Sequence, residues 1–167
     1  MATDAPSLQG NLGFLSALHH VKPDSVQDQV HQLWQAIVCT WFPGREGYLW
    51  RMGGSMVDTP VIDVMALEPD HQTAPGSWAR RRIFLVESKR PSRVTPSGWD
   101  DPLAGRKVRF YSYDEEAAQG QQPGLIPLHQ DPIDMSDDDG IAQVENMMNY
   151  IKASVGSPNV ESVTLRI

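Results

Sequence analysis

The residues best suited to chemistry are two acids and a lysine carried by strand-like segments. Asp63 interrupts an apolar segment, and Glu87 and Lys89 end the next apolar segment along the chain. A buried carboxylate is costly unless it is paired, hydrogen-bonded or bound to a metal. If the two segments form a hairpin with its turn near Pro75, Asp63 and Glu87 face each other, and they repel unless a cation lies between them. These residues therefore predict a divalent-metal site.

A second interpretation of the same residues requires no metal. Glu87 and Lys89 alternate with Ser88, so they point to one side of the strand as it leaves the core. A carboxylate and an ammonium group at an exposed strand end form a surface ion pair, which contributes little to stability. Asp63 within its apolar segment is the feature that this second interpretation leaves unexplained.

Charge is distributed unevenly along the chain. The net charge is −7, yet residues 80–109 contain nine basic and three acidic residues. A basic zone in an acidic chain is typical of a surface that attracts a phosphate backbone, although a solvated charged loop has the same composition. Trp78 and Trp99 bracket this zone, where they could stack on bases or cover the edge of the core. The predicted nucleic-acid-binding residues of the zone are Arg80, Arg90, Arg93, Arg106, Lys107 and Arg109.

Length and composition indicate one intracellular domain. A chain of 167 residues with 40% hydrophobic residues can build a single core. The lone Cys39 excludes an internal disulfide, and no segment is typical of a membrane span or a signal peptide. We therefore expect a cytoplasmic or nuclear protein with a loose arm over residues 1–23 and a single domain over 24–167.

Hydrophobic periodicity and turn residues predict the elements that must position the site. The predicted order is a short helix at 12–20, a helix from 24 or 25 to 41, strands over 46–52 and 61–67, a strand ending on Glu87-Ser88-Lys89, a strand-like piece at 107–113, a helix after 137–139 and a strand over 160–167. The last helix and strand form a right-handed crossover, which makes the last strand parallel to the third. Residues 91–136 are otherwise irregular and are expected to form a lid or a substrate-contacting loop.

This order, with an aspartate on the second strand and Glu-x-Lys ending the third, resembles the PD-(D/E)XK nuclease superfamily. The resemblance covers residues 25–167 and implies a restriction-endonuclease-like α/β fold with an insertion at 91–136. Such a fold has an αβββαβ core, in which a central mixed four-stranded sheet is flanked by helices. The Gln143 and Tyr150 pair matches the glutamine and tyrosine that many members place on the helix after the motif.

The resemblance implies a metal-dependent nuclease that hydrolyses phosphodiester bonds, with DNA more expected than RNA. Asp63, Glu87 and the Ser88 carbonyl would bind Mg²⁺ or Mn²⁺ through hard oxygen ligands. Lys89 would activate the attacking water or stabilise the transition state, and Gln143 would orient that lysine or contact phosphate. Tyr150 is assigned to nucleic-acid binding. A homodimer is one assembly that this class allows.

The chain departs from the family pattern at two places, and the second departure, together with the acidic net charge, favours other functions. Ile62, rather than proline, precedes Asp63, and the first long helix offers Asp28 but no glutamate. One alternative is therefore a catalytically inactive nuclease-fold domain that binds nucleic acid or protein. Another is an unrelated α/β interaction domain, which requires Glu87 and Lys89 to lie far from Asp63.

Overall fold

A computed structural model describes residues 5–22, 27–54, 60–69, 76–87, 106–114, 124–155 and 163–166. Both helices and strands occur within these ranges, which confirms the predicted α/β class. The elements are α1 (Leu12–His20), α2 (Gln27–Trp41), a 3-10 turn (Gly44–Glu46), β1 (Tyr48–Gly54), β2 (Pro60–Pro69), β3 (Trp78–Glu87), β4 (Lys107–Asp114), β5 (Gly124–Pro127), β6 (Ile133–Asp134), α3 (Asp138–Ser154) and β7 (Val163–Arg166).

The strands form a mixed sheet in the order β1-β2-β3-β7-β4-β5, with β6 paired to β4. Two antiparallel halves, β1-β2-β3 and β7-β4-β5, are joined by the parallel pairing of β3 with β7. That parallel pairing agrees with the crossover expected from the sequence. The sheet has more than the four expected strands because the insertion contributes β4, β5 and β6.

The long helices form where apolar residues recur at helical spacing. In α2, residues at i, i+3, i+4, i+7, i+8 and i+11 are buried: Val30, Leu33, Trp34, Ile37, Val38 and Trp41. In α3, the buried stripe is Ile141, Val144, Met148 and Ile151, as periodicity predicts. The N-cap of α3 is Asp137, whose carboxylate accepts the Gly140 N–H at 2.7 Å. The N-cap predicted for α2 lies outside the described residues.

The sheet buries one face under the helices. Alternate residues of β2 and β3 belong to the same buried cluster as residues of all three helices: Ile62, Val64, Ala66, Phe84 and Val86. The positions of β2 that alternate with Ile62, Val64 and Ala66, together with the positions of β1 and β3 that face them in the ladders, lie on the other surface, which we call the open face. Asp63 lies on the open face because its neighbours Ile62 and Val64 lie on the helix-covered face.

Residues 5–22, the described part of the N-terminal segment, pack on the core, so the expectation of a loose arm is wrong for them. Helix α1 has the predicted bounds, and Leu8, Phe14 and Val21 around it are buried. Ser7 Oγ also donates a hydrogen bond of 2.9 Å to Glu145 on α3. The sequence pattern missed this packing because only a few apolar residues make it.

The insertion also contributes to the core. The strand expected at 107–113 is present as β4, which lies between β7 and β5 in the sheet. Phe110 of β4 is fully buried, stacks on Phe84 at 6.4 Å and meets Trp34 edge-on at 6.5 Å. Residues 106–114 and 124–136 are therefore structural, whereas any lid formed by 91–105 or 115–123 lies outside the described residues.

Candidate functional site

Asp63 is the one buried charged residue in the part of the chain that the structure describes, with 4% of its surface exposed. Arg82 Nε donates to Asp63 Oδ1 at 2.8 Å, and Arg82 Nη2 donates to Oδ2 at 3.0 Å. Arg51 Nη2 lies 3.7 Å from the same Oδ2. This two-pronged pairing supplies the counter-charge and the hydrogen bonds that a buried carboxylate needs. Both oxygens of Asp63 are therefore bound by an arginine.

A β-bulge places Arg82 beside Asp63. Val64 faces Phe84 in the ladder and Met65 faces Arg82, so Ile83 has no partner on β2. Regular alternation would put Arg82 on the same face as Phe84, under the helices. The extra residue reverses the alternation and turns Arg82 to the open face, while Ile83 itself stays buried.

The charge on Arg82 is well defined. Its hydrogen bonds to Asp63 raise the pKa of Arg82 above its ordinary value, and burial opposes that rise. The guanidinium is therefore protonated at every pH at which the protein could act, and it presents a full positive charge to Asp63. Half of the Arg82 side chain, 55%, remains exposed to solvent.

The predicted pairing of Asp63 with Glu87 is wrong by two residues. Asp63 faces Leu85, and Glu87 faces Val61. Pro69 pairs with Trp78 at the turn end of the hairpin, whereas a turn centred on Pro75 would pair Pro69 with Arg81. Glu87 and Asp63 are diagonal rather than direct neighbours, at positions about 7–8 Å apart. Ser88, Lys89 and the side chain of Glu87 lie outside the described part of the chain.

Gln143 and Tyr150 lie on the exposed surface of α3, and 54% of Tyr150 is exposed. The buried stripe of α3 packs on the helix-covered face of the sheet, whereas Asp63 lies on the open face. The sheet therefore separates both residues from Asp63. The structure does not bring Gln143 and Asp63 together as the resemblance implied.

The described residues of the predicted basic zone differ in their exposure and in their hydrogen-bond partners. Arg80 is exposed, whereas Arg106, Lys107 and Arg109 are half-buried. Arg106 Nε donates to the Val21 carbonyl at 2.9 Å, and Arg109 Nη2 donates to the Gln130 carbonyl at 3.4 Å. Arg106 and Arg109 thus hold loops in place and are not a free basic patch. Arg90 and Arg93 lie outside the described residues.

Sequence reasoning missed the two arginines at Asp63. Arg51 faces Asp63 directly across the β1-β2 ladder, and this contact depends on the hairpin register. The position of Arg82 depends on the bulge at Ile83, and no glycine or other local sequence signal predicts that bulge. The sequence contained one signal: Arg51 and Arg82 lie on the strands next to the one that carries Asp63. An acid with arginines nearby predicts an ion pair as readily as it predicts a metal site.

The described residues offer no cluster of three or more histidine, cysteine or acidic side chains that could hold a metal ion. Mg²⁺ and Mn²⁺ take oxygen ligands, and the described oxygen donors here are the two of Asp63. Because Arg82 binds both of these oxygens, the described part of the site fits a cation only if Arg82 swings away.

Comparison of the chain with protein-family models, with curated proteins and with solved structures found no match. The structure itself describes an α/β protein with a mixed sheet and with an arginine-bound aspartate on the open face of that sheet. None of the described helices is long and apolar enough to span a membrane.

Proposed function

We propose that this chain is a metal-dependent nuclease that hydrolyses phosphodiester bonds, with DNA as the expected substrate. The observation that carries the proposal is the buried acid Asp63 beside β3, which ends at Glu87 and is followed in the sequence by Ser88 and Lys89. Strand alternation assigns the Asp63 and Glu87 positions to one face of the sheet, two residues apart in register. A buried carboxylate with a second acid at a diagonal position could supply oxygen ligands to a divalent cation.

The element order supports a restriction-endonuclease-like core. A helix, three antiparallel strands, a helix and a strand parallel to the third follow one another as α2, β1, β2, β3, α3 and β7. In this interpretation β4, β5 and β6 are an insertion between β3 and α3 that extends the sheet beyond β7. Fold alone does not define activity, so the proposal rests on the site residues.

Each site residue has a role in this proposal. A bound Mg²⁺ or Mn²⁺ would neutralise charge on the phosphate in the transition state. Asp63, Glu87 and the Ser88 carbonyl would bind that ion once Arg82 has released Asp63. Lys89 would orient or deprotonate the attacking water, and it would stabilise negative charge as the bond breaks.

Cleavage assays test the proposal directly. Purified protein should nick a supercoiled plasmid or shorten an oligonucleotide in Mg²⁺ or Mn²⁺. The Lys89→Ala variant should be slower by at least about 100-fold, because acid–base catalysis contributes that much. The Glu87→Gln variant should also be slower, because it removes a charged metal ligand. Arg45→Ala, which removes an exposed positive charge on the 3-10 turn, is the matched control and should cleave at the wild-type rate. Equal activity of wild type and Lys89→Ala, or inert wild type with both metals, would refute the nuclease.

The Asp63–Arg82 pair favours a second candidate, a nuclease-fold domain that binds nucleic acid without cutting it. An aspartate whose two oxygens are bound by arginine needs no metal for its stability. Calorimetry separates the candidates. A nuclease should give Mn²⁺ binding heat that disappears in Asp63→Asn, whereas the binding domain should give no such heat in either protein.

A further inference from the structure

The open face of β1, β2 and β3 presents arginines next to an exposed indole ring. Arg80 faces Leu67 and Arg82 faces Met65 across the β2-β3 ladder, so both lie on the face of Asp63. Arg51 joins them from β1. The exposed fraction of the side chain is 73% for Arg51 and 55% for Arg82. We call Arg51, Trp78, Arg80 and Arg82 the arginine surface.

The arginine surface is positively charged within an acidic protein. Asp63, buried beneath Arg51 and Arg82, balances one of the three guanidinium groups, and Glu87, whose position lies on the same face, can balance one more. The whole chain has a net charge of −7, so this surface contrasts in sign with the rest of the molecule. Exposed guanidinium groups pair with phosphate through two parallel hydrogen bonds. The charge therefore fits a polyanion with phosphate groups.

Trp78 restricts the kind of polyanion. It lies opposite Pro69 at the turn end of β3, and 63% of it is exposed. Trp78, Arg80 and Arg82 occupy alternate positions of β3, over a length of about 13 Å. An indole ring stacks on the flat face of a nucleic-acid base, and that face is covered in a duplex but available in a single strand.

We propose that the arginine surface binds single-stranded nucleic acid, with phosphates on Arg51, Arg80 and Arg82 and an unpaired base on Trp78. The inference builds on the proposed function, because it assigns the substrate a strand state and a path toward Asp63. A phosphate on Arg82 competes with the Asp63 carboxylate for the same guanidinium. Binding of the strand thus frees Asp63.

Fluorescence anisotropy in EDTA tests the surface without cleavage. The probes are a labelled oligothymidylate of about 20 nucleotides, a blunt duplex of equal length and a polyglutamate peptide at the same salt concentration. Wild type should bind the single strand at least about tenfold more tightly than the duplex. Trp78→Ala should weaken single-strand binding by about 5- to 100-fold, which is the range for one stacked base, and leave duplex binding unchanged.

Arg80→Glu should weaken single-strand binding by about tenfold or more, whereas Arg45→Glu, a matched charge reversal outside the surface, should have a much smaller effect. Thermal melting of each variant checks that it is folded. Equal effects of Arg80→Glu and Arg45→Glu, equal affinity for duplex and single strand, or tighter binding of polyglutamate would each overturn the inference. Single-strand binding without cleavage in Mg²⁺ or Mn²⁺ refutes the nuclease and leaves the surface supported. If the Trp78→Ala and Arg80→Glu variants cleave at the wild-type rate, the proposed role of the arginine surface is refuted and the nuclease proposal is not.

Discussion

At the scale of single residues, the burial of Asp63 requires a compensating partner but does not determine which group that partner is. The sequence identifies the anomaly, because an aspartate between apolar β-branched residues has to be compensated. A divalent cation and an arginine both compensate it. The choice depends on whether Arg82 lies on the open face or on the helix-covered face of the sheet. The bulge at Ile83 places it on the open face.

Removing Arg82 should destabilise the fold more than removing Arg51. Arg82→Gln leaves a buried carboxylate without its two hydrogen bonds, so the free energy of unfolding should fall by about 1–3 kcal/mol. Arg51→Gln removes a longer contact of 3.7 Å from a side chain that is 73% exposed, and it should cost less than about 1 kcal/mol. Urea denaturation of the two variants measures the difference.

The same pair of variants tests cation binding at Asp63. In Arg82→Gln the carboxylate is open to a cation, so Mn²⁺ should raise the melting temperature of this variant. The double variant Asp63→Asn/Arg82→Gln should lose the response. An equal Mn²⁺ response in the wild type and in Arg82→Gln would show that Arg82 does not compete with metal.

His31 should make the fold sensitive to mild acid. Its Nε2 is buried with no hydrogen-bond partner among the described residues, and burial lowers its pKa while Asp28 partly opposes this. The unfolded chain then binds more protons than the folded chain as pH falls below about 6.5, so stability falls with pH in that window. The urea midpoint of His31→Gln should change less between about pH 7.5 and about pH 5.5 than that of the wild type.

At the scale of elements, local patterns predicted the helices well. The bounds of α1 and the buried stripes of α2 and α3 follow from spacing that the chain itself displays. The sequence did not predict the hairpin register, the bulge at Ile83 or the pairing of β4 with β7. These features depend on contacts between distant residues, which local propensity does not encode.

The contact between α3 and β6 depends on one glycine. A Cβ atom on Gly140 would lie 1.6 Å from the Asp134 carbonyl oxygen, which is backbone and cannot move aside cheaply. Gly140→Ala should therefore lower the free energy of unfolding by about 1–3 kcal/mol or more. Gly44→Ala is the control, since nothing lies within 4 Å of a Cβ there. Chemical denaturation that gives the same stability for both variants would contradict the contact.

At the scale of the whole molecule, the two halves of the sheet share one core. Phe42, Phe84 and Phe110 stack in sequence at 6.4 Å, and Phe110 also meets Trp34 of α2. The insertion is thus part of the domain rather than an appendage to it. An irregular composition over 91–136 concealed this, because among the side chains of β4 that the structure describes two are buried, Val108 and Phe110.

Truncation of Phe110 should destabilise the molecule as a unit. Phe110→Ala removes a fully buried ring between the halves, and the free energy of unfolding should fall by about 3–5 kcal/mol. Ile126→Ala on the neighbouring β5 is the control, since 49% of Ile126 is exposed, and it should cost much less. Calorimetry should show one transition for the wild type. Separate transitions for the two halves would contradict a shared core.

The unpaired Ile83 has a consequence for comparing this chain with others. A homologue whose third strand lacks the bulge would need one residue fewer between the arginine that binds the aspartate and the glutamate that ends the strand. An alignment without a gap inside that strand would therefore match Arg82 to the wrong position in such a homologue. A one-residue gap placed opposite Ile83 keeps two positions aligned: Arg82 with the arginine that binds the aspartate, and Glu87 with the glutamate that ends the strand.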